Sequence, residues 1–301
     1  MAKLKALLLT EGYHGMISQV EGLAKALQAE FQHKIVRLNW PWNFIPPKLT
    51  PISEIILKDK HYINENKSFD LVISCGRKSV IPSAIIKKKN TNIFTIHIQD
   101  PKVNYKNFDV IIAPEHDDLK GENVISSKGS IHYITQPEIE KAKNYLVNKF
   151  QNENIVSLIL GGPTKYYSFS NEELTQVFRK IKSNFISQGY KVLVIPSMRT
   201  PKRIIDLAMK EFVKDGFVVN TVDKQAYLSA LALATNIVVT CDSTSMISEA
   251  AASGKPIFVA HMKPKKNNYR FKKFFRLFKE MGITKELGEK VDNWTYNRLN
   301  E

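Results

Sequence analysis

Short apolar segments alternate with helical patterns along the whole chain, and many of the apolar segments end in a glycine-rich or polar turn. The first segment is Leu4–Leu9, which is followed by Gly12 and a stretch with helical spacing. The pattern begins again at Ile155–Leu160, which leads into Gly161 and Gly162. This alternation is typical of parallel α/β units, in which each helix returns the chain to the same edge of a sheet. The sequence therefore predicts an α/β protein built of two Rossmann-like domains that face a cleft.

The restart of the pattern halfway along the chain places the expected domain boundary near residue 152. We predict a first domain over 1–152 and a second over 153–301, with the last helix of the second packing back on the first. A chain of 301 residues is long enough for two ordinary domains. Other predicted elements are a helix from about Ser18 to Phe31, a strand at Lys34–Leu38, a strand at Ile131–Ile134 and a helix at Glu138–Asn154.

Composition and charge narrow the class of protein. With 43% hydrophobic and 24% charged residues the chain has the composition of a soluble globular protein. No segment has the roughly 20 apolar residues of a membrane span. The formal net charge of +15 is compatible with phosphate ligands, anionic membranes or nucleic acid, but no nucleic-acid-binding signature occurs, so nucleic acid is not expected. Cys75 and Cys241 lack a Cys-x-x-Cys pairing and indicate reduced thiols in the cytoplasm.

The strongest functional signal is the segment 242–254, in which small hydroxyl residues follow a predicted buried strand and open a helix. The backbone N–H groups and the dipole of a helix N-terminus favour a diphosphate. Glu249 lies about one turn into the helix, where its carboxylate could accept hydrogen bonds from ribose hydroxyls. The alternative is that Asp242 and the serines only cap the helix and that Glu249 is a solvated charge. The predicted binding residues here are Asp242, Ser243, Thr244, Ser245, Met246 and Glu249.

Two further turns of the second half follow predicted strands, at Gly161–Lys165 and Pro196–Pro201. Two adjacent glycines permit a close approach of the backbone, and Lys165 and Arg199 carry charges that could neutralise a phosphate. Because the carboxyl ends of parallel strands meet at one edge of a sheet, we expect the three turns to form one anion site. The predicted binding residues in these two turns are Gly161, Gly162, Lys165, Ser197 and Arg199.

Polar residues at strand ends of the first half are candidates for a catalytic base, and we rank them Asp100, Glu115 and His14. A neutral imidazole suits proton abstraction from a hydroxyl group. The alternatives are that Asp100, which precedes Pro101, only forms a turn, and that His14 is a loop histidine with one backbone hydrogen bond. Adjacent residues such as those at 115–117 do not converge on one ion, so no metal site is predicted.

Residues 269–278 predict a basic amphipathic helix. Its phenylalanines share one face, and that face either docks on the domain core or, together with the cations, binds a membrane surface. In the second case the protein is peripheral at the inner face of the membrane, and the Trp40–Pro47 loop is a further contact. The phenylalanines are Phe271, Phe274, Phe275 and Phe278, and the predicted membrane-binding cations are Arg270, Lys272, Lys273 and Arg276.

Five segments of the sequence are distinctive when taken together: Ile98–Pro101, Ala113–Asp117, Leu160–Lys165, Arg199–Pro201 and Asp242–Pro256. Through them the chain resembles the elongated-mitochondria (mitochondrial fission) family, and the resemblance covers nearly its whole length. The first turn of that family commonly contains Gly-x-x-x-Gln, and Gly15–Gln19 fits this frame and leaves His14 outside it.

The resemblance implies the GT-B glycosyltransferase architecture, with a nucleotide-sugar donor in the second half and an acceptor in the first. By analogy with membrane-associated GT-B enzymes, the acceptor is expected to be lipid-linked, and the helix of Glu249 is similar to their donor-binding helix. Plant members of the family are linked to recruitment of fission machinery, so the fold does not guarantee catalysis.

The sequence thus predicts a metal-independent GT-B-type glycosyltransferase that uses a nucleotide-diphosphate sugar as co-substrate and no cofactor. The alternative is a non-catalytic GT-B-like scaffold at a membrane surface. A sugar-nucleotide epimerase would need a dinucleotide fingerprint, and the first turn lacks Gly-x-Gly-x-x-Gly.

Overall fold

The computed structural model of the protein describes residues 3–64, 68–150, 153–288, 290–292 and 294–301. The chain divides into two compact units, which we call the first unit (residues up to Tyr133, and Glu301) and the second unit (Ile134–Asn300). Each unit contains a six-stranded parallel sheet with helices between its strands. The predicted α/β class with two Rossmann-like domains is confirmed.

The first unit has the strand order β2-β1-β3-β4-β5-β6. Strand β1, which lies between β2 and β3, is buried on both faces, as expected for a parallel sheet that is covered by helices. Leu7 and Leu9 belong to the apolar cluster on one face, and Ala6 and Leu8 to the cluster on the other. The elements are β1 (Lys5–Thr10), α1 (His14–Ala26), β2 (Glu30–Ile35), α2 (His61–Asn64), β3 (Leu71–Cys75), α3 (Val80–Lys89), β4 (Phe94–Ile98), β5 (Val110–Pro114) and β6 (Val124–Ser127), with short 3-10 turns between them.

The second unit has the strand order β12-β11-β10-β7-β8-β9, and all of its described strand pairs are parallel. Every residue of β7 and β10 is buried. The elements are α4 (Gln136–Ala142), β7 (Ile155–Leu160), α5 (Asn171–Asn184), β8 (Lys191–Pro196), α6 (Lys202–Phe212), β9 (Gly216–Val218), α7 (Lys224–Leu233), β10 (Asn236–Thr240), α8 (Thr244–Ala251), β11 (Ile257–Ala260), α9 (Tyr269–Glu280) and β12 (Thr284–Glu286).

The compact units divide earlier in the chain than the predicted boundary at 152, a position that lies outside the described residues. The segment 136–149 forms α4 and two 3-10 turns, and it packs on α7 of the second unit. The buried Ser229 hydroxyl donates to the Lys143 carbonyl (3.2 Å) and accepts from the Leu146 N–H (3.2 Å). This weakly apolar segment, for which the sequence predicts a single helix over Glu138–Asn154, therefore belongs to the second unit.

The predicted strand at 131–134 is not a strand: the segment pairs with no described strand, and its backbone at His132 lies against α1. Gly22 of α1 permits this contact, because a Cβ atom there would lie 2.5 Å from the carbonyl carbon of His132.

At the other end of the chain, residues 294–301 contain no helix, and the Tyr296 hydroxyl donates to the Lys255 carbonyl (2.8 Å). The predicted last helix is therefore absent from these described residues.

Both cysteines are free and buried. Burial raises the pKa of Cys75 above its usual range and the pKa of Cys241 to about 12. Protonated, enclosed thiols are unreactive, which agrees with the prediction of reduced cysteines.

Candidate functional site

The strand order of the second sheet reverses between β7 and β10, which are neighbours although β8 and β9 lie between them in sequence. In open parallel sheets, ligands bind beyond the carboxyl ends of the strands at such a point. β7 leads into Gly161, and β10 leads into Asp242. Two of the three predicted turns therefore start at the reversal point.

Asp242 connects these turns through its carboxylate. Oδ1 accepts a hydrogen bond from the Thr240 hydroxyl (2.7 Å), and Oδ2 accepts one from the backbone N–H of Gly162 (3.2 Å). Oδ2 also lies 2.6 Å from a guanidinium nitrogen of Arg199. The Asp242 side chain has 0% exposed surface, whereas that of Arg199 is 44% exposed. Asp242 therefore positions its neighbours, and Arg199 is the member of the pair that a ligand can reach.

The two glycines are required by contacts within the protein. A Cβ atom on Gly161 would lie 2.0 Å from an Asp242 carboxylate oxygen, and one on Gly162 would lie 1.9 Å from the Arg199 carbonyl oxygen. No side chain fits at such distances. The close approach predicted for this turn is thus made to Asp242 and to the backbone of Arg199.

Ser197 and Thr200 fix the turn after β8 onto the turn after β7. The Thr200 hydroxyl oxygen lies 2.8 Å from the carbonyl oxygens of both Leu160 and Gly161, and it accepts from the Ser197 N–H (2.8 Å). The Ser197 hydroxyl accepts from the N–H of Arg199 (3.3 Å). The predicted residue Ser197 therefore shapes the loop that presents Arg199.

Ser243 is the N-cap of α8, and its hydroxyl accepts from the Met246 N–H (3.3 Å). The helix starts at Thr244, one residue earlier than Ser245. The capping alternative is thus correct for Ser243, whereas the Asp242 carboxylate holds Arg199. The cap satisfies one donor at this end of the helix, and the helix dipole still favours an anion there.

Glu249 is buried, so the alternative of a solvated charge is wrong. One of its carboxylate oxygens accepts a hydrogen bond from the Tyr227 hydroxyl (3.1 Å). Tyr227 comes from α7, and no local sequence pattern pairs it with a residue of α8. The carboxylate is held in place by this contact.

Lys165 is exposed, and its ammonium lies 5.0 Å from the centroid of the Tyr166 ring. The contact is a cation–π pair outside the hydrogen-bonded group of Arg199 and Asp242. The structure therefore joins Gly161, Gly162, Ser197, Arg199 and Asp242, and it leaves Lys165 apart from them.

The second unit also contains a cavity of about 380 Å³ beyond β11 and β12. His261 and Glu286 line it, and the His261 Nε2 lies 2.6 Å from a Glu286 carboxylate oxygen. Neither residue is among the predicted ones, because a lone histidine and a lone glutamate 25 positions apart give no sequence signal. The cavity lies at the same edge of the sheet as the predicted turns.

The three candidate bases of the first unit have different partners. Asp100 accepts from the Lys102 N–H (2.9 Å) and pairs with its ammonium group, as a turn former does. Glu115 lies 2.6 Å from the Lys128 ammonium on the surface. His14 starts α1, and its Nε2 lies 3.1 Å from the hydroxyl oxygen of Tyr133.

The Gly-x-x-x-Gln frame forms the first turns of α1. The Gln19 amide nitrogen donates to the Gly15 carbonyl (3.0 Å), and its amide oxygen lies 3.5 Å from the Gln99 amide nitrogen beyond β4. Gln19 thus links the start of α1 to the carboxyl end of another strand.

The phenylalanine face of α9 docks on the second unit. Phe274 and Phe278 are fully buried, with ring centroids 4.1 Å apart, and the Phe271 ring packs edge-on against Tyr167. The docking alternative is therefore correct, and the apolar face is not available for insertion into a membrane. Within the described part of the chain, no helix has the length and apolar character needed to cross a membrane.

Two Rossmann-like units with a polar site at a strand reversal define a GT-B-like α/β protein. The family model Mitochondrial fission ELM1 matches residues 14–301, and the chain belongs to this family. Uncharacterized protein RP120 of Rickettsia prowazekii (strain Madrid E) is 28% identical, over 92% of this chain and 91% of that protein. Mitochondrial fission protein ELM1 of Arabidopsis thaliana is 24% identical, over 77% of this chain and 61% of that protein.

Solved structures share the fold at low identity. MurG of Acinetobacter baumannii is 11% identical, with a TM-score of 0.56 over 96% of this chain and 87% of that one. UDP-GlcNAc 2-epimerase of Methanocaldococcus jannaschii is 13% identical, with a TM-score of 0.54 over 98% and 96%. UDP-GlcNAc 2-epimerase of Neisseria meningitidis, bound to UDP-GlcNAc, is 12% identical, with a TM-score of 0.53 over 95% and 88%. These likenesses establish the GT-B-like fold.

Proposed function

We propose that this protein binds a nucleotide-diphosphate sugar in its second unit and acts as a GT-B-type glycosyltransferase. The observation that carries the proposal is the exposed guanidinium of Arg199, which buried Asp242 holds where the strand order reverses. A similar fold in a protein bound to UDP-GlcNAc supports this class of ligand.

The roles follow from the chemistry of the residues. The diphosphate lies at the N-terminus of α8, where the Thr244–Met246 turn and the helix dipole favour negative charge. Arg199 neutralises the diphosphate as it leaves, so the transfer needs no metal ion. Lys165 is a second cation on the neighbouring loop. Glu249, oriented by Tyr227, accepts hydrogen bonds from the ribose.

The sugar acceptor in this proposal is lipid-linked, and a carboxylate or imidazole of the first unit removes its proton. Asp100 remains the first candidate for this base, ahead of Glu115 and His14.

Epimerisation is the alternative chemistry, because the same fold occurs in UDP-GlcNAc 2-epimerases. The absence of a Gly-x-Gly-x-x-Gly motif from the first turn therefore does not argue against epimerase activity. Analysis of the reaction products distinguishes glycosyl transfer from epimerisation.

Titration calorimetry with UDP-, GDP-, ADP- and CMP-sugars tests the donor assignment. We expect one of them to bind, and Arg199→Lys to weaken binding by about tenfold, because a lysine keeps a charge beside Asp242 but loses the forked donor. Lys202→Ala is the matched control, since Lys202 is an exposed cation that pairs only on the surface with Asp206. If the intact protein binds none of the four classes, the donor assignment fails.

A second candidate function is a non-catalytic scaffold at an anionic membrane surface. The observation that favours it is the loop after β2, in which Trp40 is 82% and Phe44 80% exposed. Exposed aromatic side chains of this kind are typical of interaction surfaces and membrane interfaces. Arg37 and Lys48, both exposed, flank the two rings in sequence.

A further inference from the structure

The first unit contains a cavity of about 420 Å³ beyond the carboxyl ends of β3 and β4. Pro46, Pro47 and Lys48 form one wall, and Arg77, His97 and Asp100 lie among the other lining residues. Carboxyl ends of parallel strands are the usual ligand side of such a sheet. The cavity lies within the first unit, so a ligand that binds in it is independent of the donor site proposed for the second unit.

The charged groups around this cavity favour an anion. Lys48, Arg77 and Lys102 contribute three positive charges against the single carboxylate of Asp100, which leaves a net charge of +2. Asp100 already pairs with Lys102, and the Arg77 guanidinium donates to the carbonyl oxygens of Asn43 and Ile45. Arg77 thereby fixes the proline-containing wall, and Lys48 is the exposed cation beside it.

His97 supplies a polar atom of a different kind. The residue is 1% exposed, and its Nδ1 lies 2.8 Å from the Ser74 hydroxyl oxygen. The same hydroxyl oxygen lies 3.3 Å from the carbonyl oxygen of Ile96; when the hydroxyl donates to that carbonyl, Nδ1 carries the ring proton and Nε2 is a hydrogen-bond acceptor. Burial lowers the pKa of His97 to about 3, against the opposing effect of Asp100, so the ring is neutral near pH 7.

A neutral imidazole with so low a pKa is a poor proton acceptor but remains a good hydrogen-bond acceptor. It therefore recognises a ligand O–H group rather than deprotonating it. Gln99, next to Asp100, adds a second sign of a ligand site: its φ of +84° lies in the left-handed region, which a non-glycine residue rarely adopts. Such strained residues cluster at binding sites.

We propose that this cavity binds a phosphate monoester that also carries a hydroxyl group. The phosphate lies against Lys48 and Arg77, and the hydroxyl donates to Nε2 of His97. A free polyol phosphate and a lipid headgroup share this chemistry, so both sources are tested.

Calorimetric titration of the intact chain uses glycerol 3-phosphate, inorganic phosphate, and lysophosphatidic acid in detergent micelles. We expect glycerol 3-phosphate to bind more tightly than inorganic phosphate, because only the ester has a carbon-bound hydroxyl that can donate to His97 while its phosphate contacts Lys48 and Arg77. Lys48→Ala should weaken binding of both by about tenfold. Lys120→Ala, which removes another exposed cation of the first unit, is the matched control and should change neither.

His97→Asn keeps an amide N–H where Nδ1 faces Ser74, and it removes the acceptor at Nε2. We expect this variant to bind glycerol 3-phosphate no more tightly than inorganic phosphate, whose affinity stays as in the wild type. Tighter binding of lysophosphatidic acid than of glycerol 3-phosphate would identify a lipid headgroup, and the reverse a free ester. The proposal is overturned if neither ester binds, or if Lys120→Ala weakens binding as much as Lys48→Ala.

Discussion

The Asp242 carboxylate accepts hydrogen bonds from Thr240, Gly162 and Arg199 in a place where its own side chain has no exposed surface. A buried acidic group is retained only when such partners satisfy it. The sequence predicted the position of Asp242, because a hydrophobic run of strand length ends just before it. Its pairing with Arg199 could not be predicted, since the two residues lie 43 positions apart and meet only through the order of the strands.

Gly162→Ala is expected to lower the free energy of unfolding by about 2–3 kcal/mol, because the new Cβ would lie 1.9 Å from a backbone oxygen that cannot rotate away. Gly15→Ala is the control: space around it is open, it lies in α1 at a φ outside the left-handed region, and alanine there should be neutral or stabilising. Urea denaturation of both variants makes the comparison. Equal effects would show that the turn tolerates a side chain.

At the scale of elements, sequence patterns predicted the strands that are buried on both faces and misplaced the edge strand β2, which was expected at Lys34–Leu38 and lies at Glu30–Ile35. β2 is an edge strand of largely exposed residues, so it lacks a continuous apolar run, and Phe31 was assigned to the preceding helix. α1 ends instead at Ala26, and Gln28 turns the chain with a φ of +53°. For α9 the helical spacing was informative, but periodicity does not reveal whether the core or a membrane covers an apolar face.

The Trp40–Pro47 loop and α9 differ in what they offer to a membrane: the loop exposes aromatic rings, whereas α9 buries its phenylalanine face. Since the phenylalanines of α9 are used in docking, binding to phosphatidylglycerol vesicles should depend on the exposed rings of the loop. We expect Trp40→Ala with Phe44→Ala to reduce co-sedimentation several-fold. Tyr269→Ala, which removes an exposed ring from α9, should leave it unchanged. Loss of binding in the Tyr269 variant alone would instead assign the contact to α9.

At the scale of the whole molecule, the repeated strand–turn–helix pattern was enough to predict two sheets, because each sheet buries its own strands. The position of the division was not predictable, since α4 has few apolar residues and its place is decided by contacts with α7. Ile139 and Leu146 are buried, and the Tyr145 hydroxyl donates to Asp223 (2.6 Å) at the start of α7, which lowers the pKa of that carboxyl.

These contacts predict where the second unit can be separated from the first. A fragment over 134–301 retains α4, its packing on α7, and the hydrogen bonds of Ser229 to Lys143 and Leu146. A fragment over 153–301 lacks α4 and therefore loses all of these contacts. The shorter fragment lacks the buried side chains of Ile139 and Leu146 and exposes the α7 surface that this segment covers. Loss of a buried side chain of this size costs about 2–5 kcal/mol, so the shorter fragment should unfold at a clearly lower urea concentration or fail to fold. Circular dichroism during urea titration measures the unfolding midpoint of both fragments.

As a control in the intact chain, Ile139→Ala should destabilise the protein and Glu140→Ala, an exposed neighbour, should not. Equal stability of the two fragments would return the boundary to residue 152.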